Sequence, residues 1–209
     1  MKIIVFIQAR MSSKRLPGKV MLKINNKSIL EHVVCNLKKS QYNNNIIVLT
    51  SKKKEDQEIV KLCKKKKIFY YRGDLNNVYK RFFNALQNFE CDAFVRICGD
   101  SPLISHKILD IAIKKFMTKK FDIVTNCFPK TFPKGLSVEI LKKSIFLKNF
   151  KQIKNKKMKE HITEYFYENK KKFKIFNIKN KKKLIYKSLA IDDIKDYNFI
   201  KKKFKRLCF

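Results

Sequence analysis

The stretch from Gln8 to Lys19, Gln-Ala-Arg-Met-Ser-Ser-Lys-Arg-Leu-Pro-Gly-Lys, gathers residue types that handle phosphate. Arg10, Lys14, Arg15 and Lys19 put four cations into ten residues. Ser12, Ser13 and Gly18 add hydroxyls and an uncluttered backbone. Such a loop at the carboxyl end of a parallel strand can neutralise and cradle a polyphosphate. The spacing G-x-x-x-x-G-K-[ST] is absent, so this is not a Walker A loop. The same composition also suits a plain basic surface loop. Two acidic points lie far down the chain. Asp100 follows Gly99 in Arg96-Ile-Cys-Gly-Asp-Ser-Pro, and Asp192 and Asp193 follow Leu189–Ile191. An aspartate at a strand end is often only a turn former or a helix cap, and Asp196 is equally suited to capping a last helix. The functional reading is a hard cation, since Mg²⁺ takes one or two carboxylates together with substrate phosphates. A basic loop facing two acidic strand ends would make a metal–nucleotide site.

Positioning these groups requires a particular succession of elements. The apolar run Ile3–Ile7 is short and β-branched, as a buried strand is. Ser28–Lys39 has helical spacing, with Ser28 and Glu31 set for a capping box. The pattern then predicts a strand at Ile46–Thr50, a helix at Glu55–Lys66, a strand at Ile68–Tyr71 and a helix at Asn76–Phe89. It continues with a strand at Ala93–Cys98, a helix at Ser105–Met117 and a strand at Phe121–Asn126. Alternation of this kind means βαβ units and a mostly parallel sheet, with ligands at the carboxyl ends of the strands. The regularity then fades. Phe-Pro-Lys-Gly at 132–135 is a turn, Leu136–Ile140 a strand, Leu141–Phe150 a helix and His161–Asn169 a helix. Phe173–Ile178 and Leu184–Ile191 are expected as strands, and Ile194–Leu207 as a closing helix. The aromatics Tyr165, Phe166, Phe173, Phe176 and Tyr186 within this lysine-rich region are expected against the sheet or a partner subunit.

At 209 residues with 44% apolar content, the chain can bury one core. Four Gly and four Pro leave little room for linkers, so a single domain, 1–209, is expected. The net charge of +34 would suit nucleic acid. However, Lys far outnumbers Arg, and Asn, Ile and Phe are also abundant; all four are A/T-rich codons, and the lysines are spread rather than striped. Base bias accounts for the charge, and no nucleic-acid partner is expected. None of the six cysteines forms a C-x-x-C pair, which favours free thiols and the cytoplasm. No apolar run approaches the roughly 18 residues of a membrane span.

The opening motif resembles that of bacterial sugar cytidylyltransferases, of the type named for spore-coat polysaccharide biosynthesis; the 3-deoxy-manno-octulosonate and acylneuraminate cytidylyltransferases are more distantly similar. The likeness continues through Ser28-Ile-Leu-Glu-His-Val, Tyr71-Arg-Gly, Arg96-Ile-Cys-Gly-Asp-Ser-Pro-Leu-Ile, Thr131-Phe-Pro-Lys-Gly-Leu-Ser-Val-Glu, Glu160-His-Ile-Thr and Leu189-Ala-Ile-Asp-Asp. It implies a Rossmann-like nucleotide-diphospho-sugar transferase α/β fold, with a mostly parallel mixed sheet flanked by helices. CTP and Mg²⁺ are the implied reactants, and a CMP-activated sugar or sugar acid and pyrophosphate the products. Arg10 and Lys19 are implied on the triphosphate, with Arg15 helping and Gln8, Ala9 and Ser12 on the same loop. Asp100 and Asp192 are implied on the metal, Asp193 being the ambiguous neighbour. Arg72, Asn77, Arg81 and Arg96 are implied on the nucleotide, and Glu139 and His161 on the acceptor side. Residues 130–187 would form the acceptor side and a homodimer contact.

Departures from the family pattern fall on the Gly-Asp turn, on the acceptor side and on the late strand, which runs Asp192-Asp-Ile-Lys-Asp196 where relatives usually continue Asp-Thr-Pro-Glu-Asp. Cys98 stands where relatives usually carry Thr or Gln, and Ser137 where they usually carry Asp. Two other readings remain open: a related transferase using another nucleotide, and a non-enzymatic nucleic-acid-binding protein.

Overall fold

The computed structural model describes all residues except 43–44, 182–184 and 208–209, so Leu184 and Cys208 lie outside the described residues. The first strand, β1 (Ile3–Gln8), sits in mid-sheet. Val5 and Ile7 turn to one helix layer, Ile4 and Phe6 to the other. Both faces are therefore buried, which is why the run reads as continuous rather than alternating. A tight hairpin of β2 (Lys23–Ile24) and β3 (Lys27–Ser28) follows, turning at Asn25 and Asn26 with φ of 47° and 62°. Asparagine tolerates this left-handed backbone, so the Asn-Asn pair was a turn signal that the helical periodicity downstream obscured.

The predicted capping box forms at α1 (Ile29–Leu37): Glu31 N donates to Ser28 Oγ at 3.1 Å and Ser28 N to Glu31 Oε2 at 2.7 Å. The alternation then runs as expected through β4 (Ile46–Ser51), α2 (Gln57–Lys65), β5 (Phe69–Gly73), α3 (Val78–Asn88), β6 (Ala93–Cys98), α4 (His106–Phe116) and β7 (Ile123–Thr125). Next come β8 (Glu139–Lys142), α5 (Lys143–Lys148), α6 (Lys156–Glu160), α7 (Glu164–Glu168), β9 (Ile175–Asn177) and α8 (Ile194–Leu207). The seven-stranded sheet has the order β5-β4-β1-β6-β8-β7-β9. The first four are mutually parallel, whereas β8 runs antiparallel to both β6 and β7. The chain moves outward from β1 through β4 to β5, then returns to place β6 on the other side of β1. That reversal opens a crevice at the carboxyl ends of β1 and β6.

Helices α1, α2 and α4 bury Val33, Ile59 and Phe116 on one face of the sheet. On the other face α3, α5 and α7 bury Phe82, Phe146 and Phe166. Of the aromatics in the basic region, Phe166 is fully buried, Phe173 and Tyr165 pack beside it, and Phe176 lies on the opposite layer. Tyr186 meets Phe199 of α8 with ring centroids 5.7 Å apart.

The strand expected over Leu184–Ile191 does not form among its described residues. Ser188 makes one isolated bridge to Lys134, Leu189 N donates to Lys134 O at 2.6 Å, and Ile191 N donates to Asp100 O at 3.0 Å. Leu189 and Ile191 are buried with Ile200 and Phe204 of α8. The segment is apolar because it plugs a third cluster, and its backbone ties two loops together rather than extending the sheet. Gly135 makes this close approach possible: its φ is +95°, and a Cβ there would lie 2.5 Å from the Leu189 carbonyl carbon. Gly135→Ala should therefore lower stability by at least about 2 kcal/mol. An unchanged thermal midpoint would show that this crossing can yield.

Candidate active site

A cleft of about 810 Å³ lies over the crevice. The Gln8–Lys19 loop forms one wall. Ala9 N still pairs with Leu49 O at 3.0 Å, extending the β1–β4 ladder. The chain then doubles back, with Ser13 N and Gly18 N both donating to Met11 O, at 2.9 and 2.7 Å. Gly18 has φ 72°, the left-handed backbone that favours glycine. The loop is anchored by a residue that helix periodicity alone would assign to an acidic first turn. Asp56, 1% exposed, accepts Met11 N at 2.7 Å and Ser51 N at 2.9 Å. Asp56→Ala would orphan two backbone donors at roughly 1–3 kcal/mol each. It should loosen the loop and weaken nucleotide binding several-fold by calorimetry; equal affinity would remove the anchoring role.

Lys19 is the centre of the site. Its Nζ donates to Asp100 Oδ2 at 2.6 Å and to Ile191 O at 2.7 Å, and lies 3.4 Å from Asp192 Oδ1. Asp192 also meets Arg15 at 3.1 Å and Lys134. Burial alone would raise the Asp192 carboxyl, but the hydrogen bond and charge of Lys134, with Lys19 and Arg15, hold it below its ordinary value. Arg10 lines the same cleft and pairs with Glu160 at 3.2 Å. The loop cations and the two distant carboxylates thus share one pocket.

Asp193 is used differently. Its Oδ1 accepts Lys195 N and Asp196 N, while Asp196 Oδ2 accepts Asp192 N and Asp193 N. The pair caps α8 reciprocally, and Asp193 lies outside the cleft lining. Ser12 also lies outside that lining, where Ser13 and Lys14 stand instead. Arg72 is a strut: its guanidinium donates to Ser51 O, Gln57 Oε1 and Lys53 O at 2.8–2.9 Å. Asn77 caps α3 by accepting Lys80 N at 2.9 Å. Neither Arg72 nor Asn77 lines the cleft.

Arg81 does line it while only 2% exposed. One nitrogen donates to Asp74 O at 2.8 Å, and its Nε has no partner. Burial, with the charge of Arg10, lowers its guanidinium to about 10.

The floor is built on a cross-strand pair. Arg96 of β6 faces Glu139 of β8 in register and donates to Glu139 Oε2 at 2.5 Å. Arg96 Nε donates to Gln8 Oε1 at 3.1 Å. Burial works against the Arg96 charge, but Glu139 outweighs it and holds the guanidinium above its ordinary range. The Tyr167 hydroxyl donates to the other Glu139 oxygen at 2.6 Å and lies 3.0 Å from Thr125 Oγ1. Burial, then Glu139, pushes the Tyr167 phenol up. Cys98 and Cys127 complete this wall, each thiol pushed by burial to about 11. His161, directly after α6, and Ser137 line the same side.

Sequence reasoning did not single out Asp56, Lys134 or Tyr167 for the site. Lys134 had one usable signal, its place before a glycine in a Pro-containing turn; Tyr167 had none, since an aromatic in a helical run reads as core.

Among the described residues no group of three or more His, Cys, Asp or Glu could hold a metal ion by itself. Asp100, Asp192 and the Ile191 carbonyl nevertheless converge on one ammonium, offering hard oxygens of the kind a divalent cation shares with substrate phosphates. The donor set fits Mg²⁺ held jointly with a nucleotide.

A basic loop facing a carboxylate pair at the switch point of this sheet is an arrangement suited to a nucleotide in an α/β fold. The cytidylyltransferase family model matches residues 4–207, and the chain belongs to that family. It is accordingly a nucleotidyltransferase of the CTP-using kind. The uncharacterized protein MJ1063 of Methanocaldococcus jannaschii is 41% identical over 199 residues, 94% of this chain and 81% of its own. The spore coat polysaccharide biosynthesis protein SpsF of Bacillus subtilis is 24% identical over 78% of this chain and 69% of its own. The structure of a cytidylyltransferase from Leptospira borgpetersenii superposes with TM-score 0.94 at 35% identity, over 99% of this chain and 87% of that one. The CTP complex of CMP:2-keto-3-deoxy-manno-octonic acid synthetase shares the fold, with TM-score 0.73 at 14% identity over 99% of each chain. The expected fold stands. No helix among the described residues is long and apolar enough to cross a membrane.

Proposed function

We propose that this enzyme moves CMP from CTP onto a sugar or sugar acid with release of pyrophosphate, serving surface polysaccharide or glycan synthesis. The observation that carries this reading is the position of Lys19, a phosphate-loop cation in reach of both Asp100 and Asp192. The name of SpsF, a polysaccharide biosynthesis protein, supports the pathway.

In this reading Arg10, Arg15 and Lys19 hold the triphosphate, with Gln8, Ala9 and Ser12 shaping their loop. Arg81 approaches the base, Arg72 and Asn77 act from behind it, and Arg96 fixes Glu139 on the acceptor wall. Asp100 and Asp192 hold Mg²⁺, and Asp193 sets Asp192 by capping α8. When bound, the ion offsets triphosphate charge and stabilises charge growing on departing pyrophosphate. The protein's own task is positioning: an acceptor hydroxyl must lie in line with the α-phosphorus while Arg10 and Lys19 screen the repulsion it meets. His161, which lines the cleft, is the candidate to accept that hydroxyl's proton. The five described cysteines are free thiols, in keeping with a cytoplasmic enzyme. Residues 130–187 are proposed as a homodimer contact.

The test is pyrophosphate release from CTP and Mg²⁺ with a panel of sugar acids and phosphorylated sugars. Asp100→Asn should abolish release. CTP should raise the thermal midpoint more than UTP, GTP or ATP; equal shifts would exclude a preference for cytidine.

A further inference from the structure

Asp192 meets three cations, and only two of them, Arg15 and Lys19, belong to the phosphate loop. The third, Lys134, comes from the turn on the acceptor side. Its place is built in. Lys134 N donates to Lys187 O at 3.1 Å, Lys134 O accepts Leu189 N at 2.6 Å, and the two segments bridge at Ser188. Gly135 packs against Leu189 and Ala190 too closely to admit a side chain. These contacts hold the backbone of Lys134 against Leu189, three residues before Asp192. The Lys134 side chain itself is half exposed, free to leave its partner.

The charges then decide what the site accepts. Lys19, Arg15 and Lys134 face Asp100 and Asp192, an excess of one positive charge. A free divalent cation entering this cluster would displace an ammonium from Asp192 and raise the excess further, against repulsion over a few ångströms. A triphosphate brings enough negative charge to draw the three cations off the carboxylates. We propose that Lys134 is a resident counter-ion of Asp192, which makes the enzyme take up its divalent cation together with the nucleotide rather than ahead of it. This rests on the reading of Asp100 and Asp192 as the metal-holding pair.

The probe is Mn²⁺, followed by electron paramagnetic resonance or calorimetry, with and without a non-hydrolysable CTP analogue. Wild-type enzyme should bind free Mn²⁺ at least about tenfold more weakly than it binds Mn²⁺ with the analogue. Lys134→Met should tighten free Mn²⁺ binding about fivefold or more, and Lys134→Arg should not, because it keeps the charge. Lys130→Met removes a neighbouring cleft lysine from the same turn and should also leave Mn²⁺ affinity alone. Free Mn²⁺ affinity equal in Lys134→Met and wild type, with normal binding alongside the analogue, overturns the role of Lys134 only. A gain shared by Lys130→Met overturns it too, reducing the effect to general positive charge. Failure of Mn²⁺ to bind even with the analogue overturns this proposal and the metal reading together.

Discussion

Lys19→Ala should cut turnover on the order of 10²–10³-fold, the usual loss when one preorganised charge is removed from a developing anion. Lys19 holds Asp100, Asp192 and the Ile191 carbonyl at once, so its removal acts twice. On the proposed function it takes a cation from the triphosphate, and it leaves the two carboxylates without their common partner. Stability should change less than activity, because Arg15 and Lys134 still face Asp192. Lys19→Arg should restore little, since a planar fork does not replace a compact ammonium buried to 9% exposure. Pyrophosphate release and CTP affinity measured on the same preparations separate the two effects. Turnover within threefold of wild type in Lys19→Ala would remove Lys19 from the reaction.

What the sequence made legible follows from which physics is local. Period and caps are local, so the run of βαβ units and the Ser28–Glu31 capping box could be read directly. Strand direction after β7 could not, because the antiparallel insertion of β8 between β6 and β7 depends on a cross-strand partner, Arg96 for Glu139, that lies 43 residues away. The apolar residues before Asp192 looked like a strand for the same reason: Leu189 and Ile191 are buried, but by α8 and a hairpin rather than by a ladder. At the cleft, sequence located the lining where a chain segment announces itself, as Gln8–Lys19 does. Residues acting through distant partners were missed or misplaced. Asp56 looks like a helix-start acid yet pins Met11. Arg72 looks like a ligand group yet braces β4 to the start of α2. Asp193 and Asp192 are indistinguishable as neighbours in sequence, and only the cap of α8 separates their tasks.

The floor of the cleft sets the largest stability effect. Arg96→Met should destabilise the protein by about 3–5 kcal/mol, because Glu139, 3% exposed, is left as a buried charge without its counter-ion. At this chain length that lowers the thermal midpoint by roughly 10 °C. Glu139 retains one neutral donor, the Tyr167 hydroxyl at 2.6 Å, which cannot balance a full charge at that depth. Removing both charges should therefore hurt less than removing one: Arg96→Met with Glu139→Leu should recover much of the loss, since two apolar side chains of similar bulk carry no desolvation penalty. The recovery will be incomplete, as Gln8 Oε1 and the Tyr167 hydroxyl lose the partners they have in Arg96 and Glu139. Activity should not return with stability, because that wall would then offer the acceptor neither charge nor the hydrogen-bonded tyrosine it orients. A double variant as unstable as Arg96→Met alone would mean that the pair contributes through packing and not through charge.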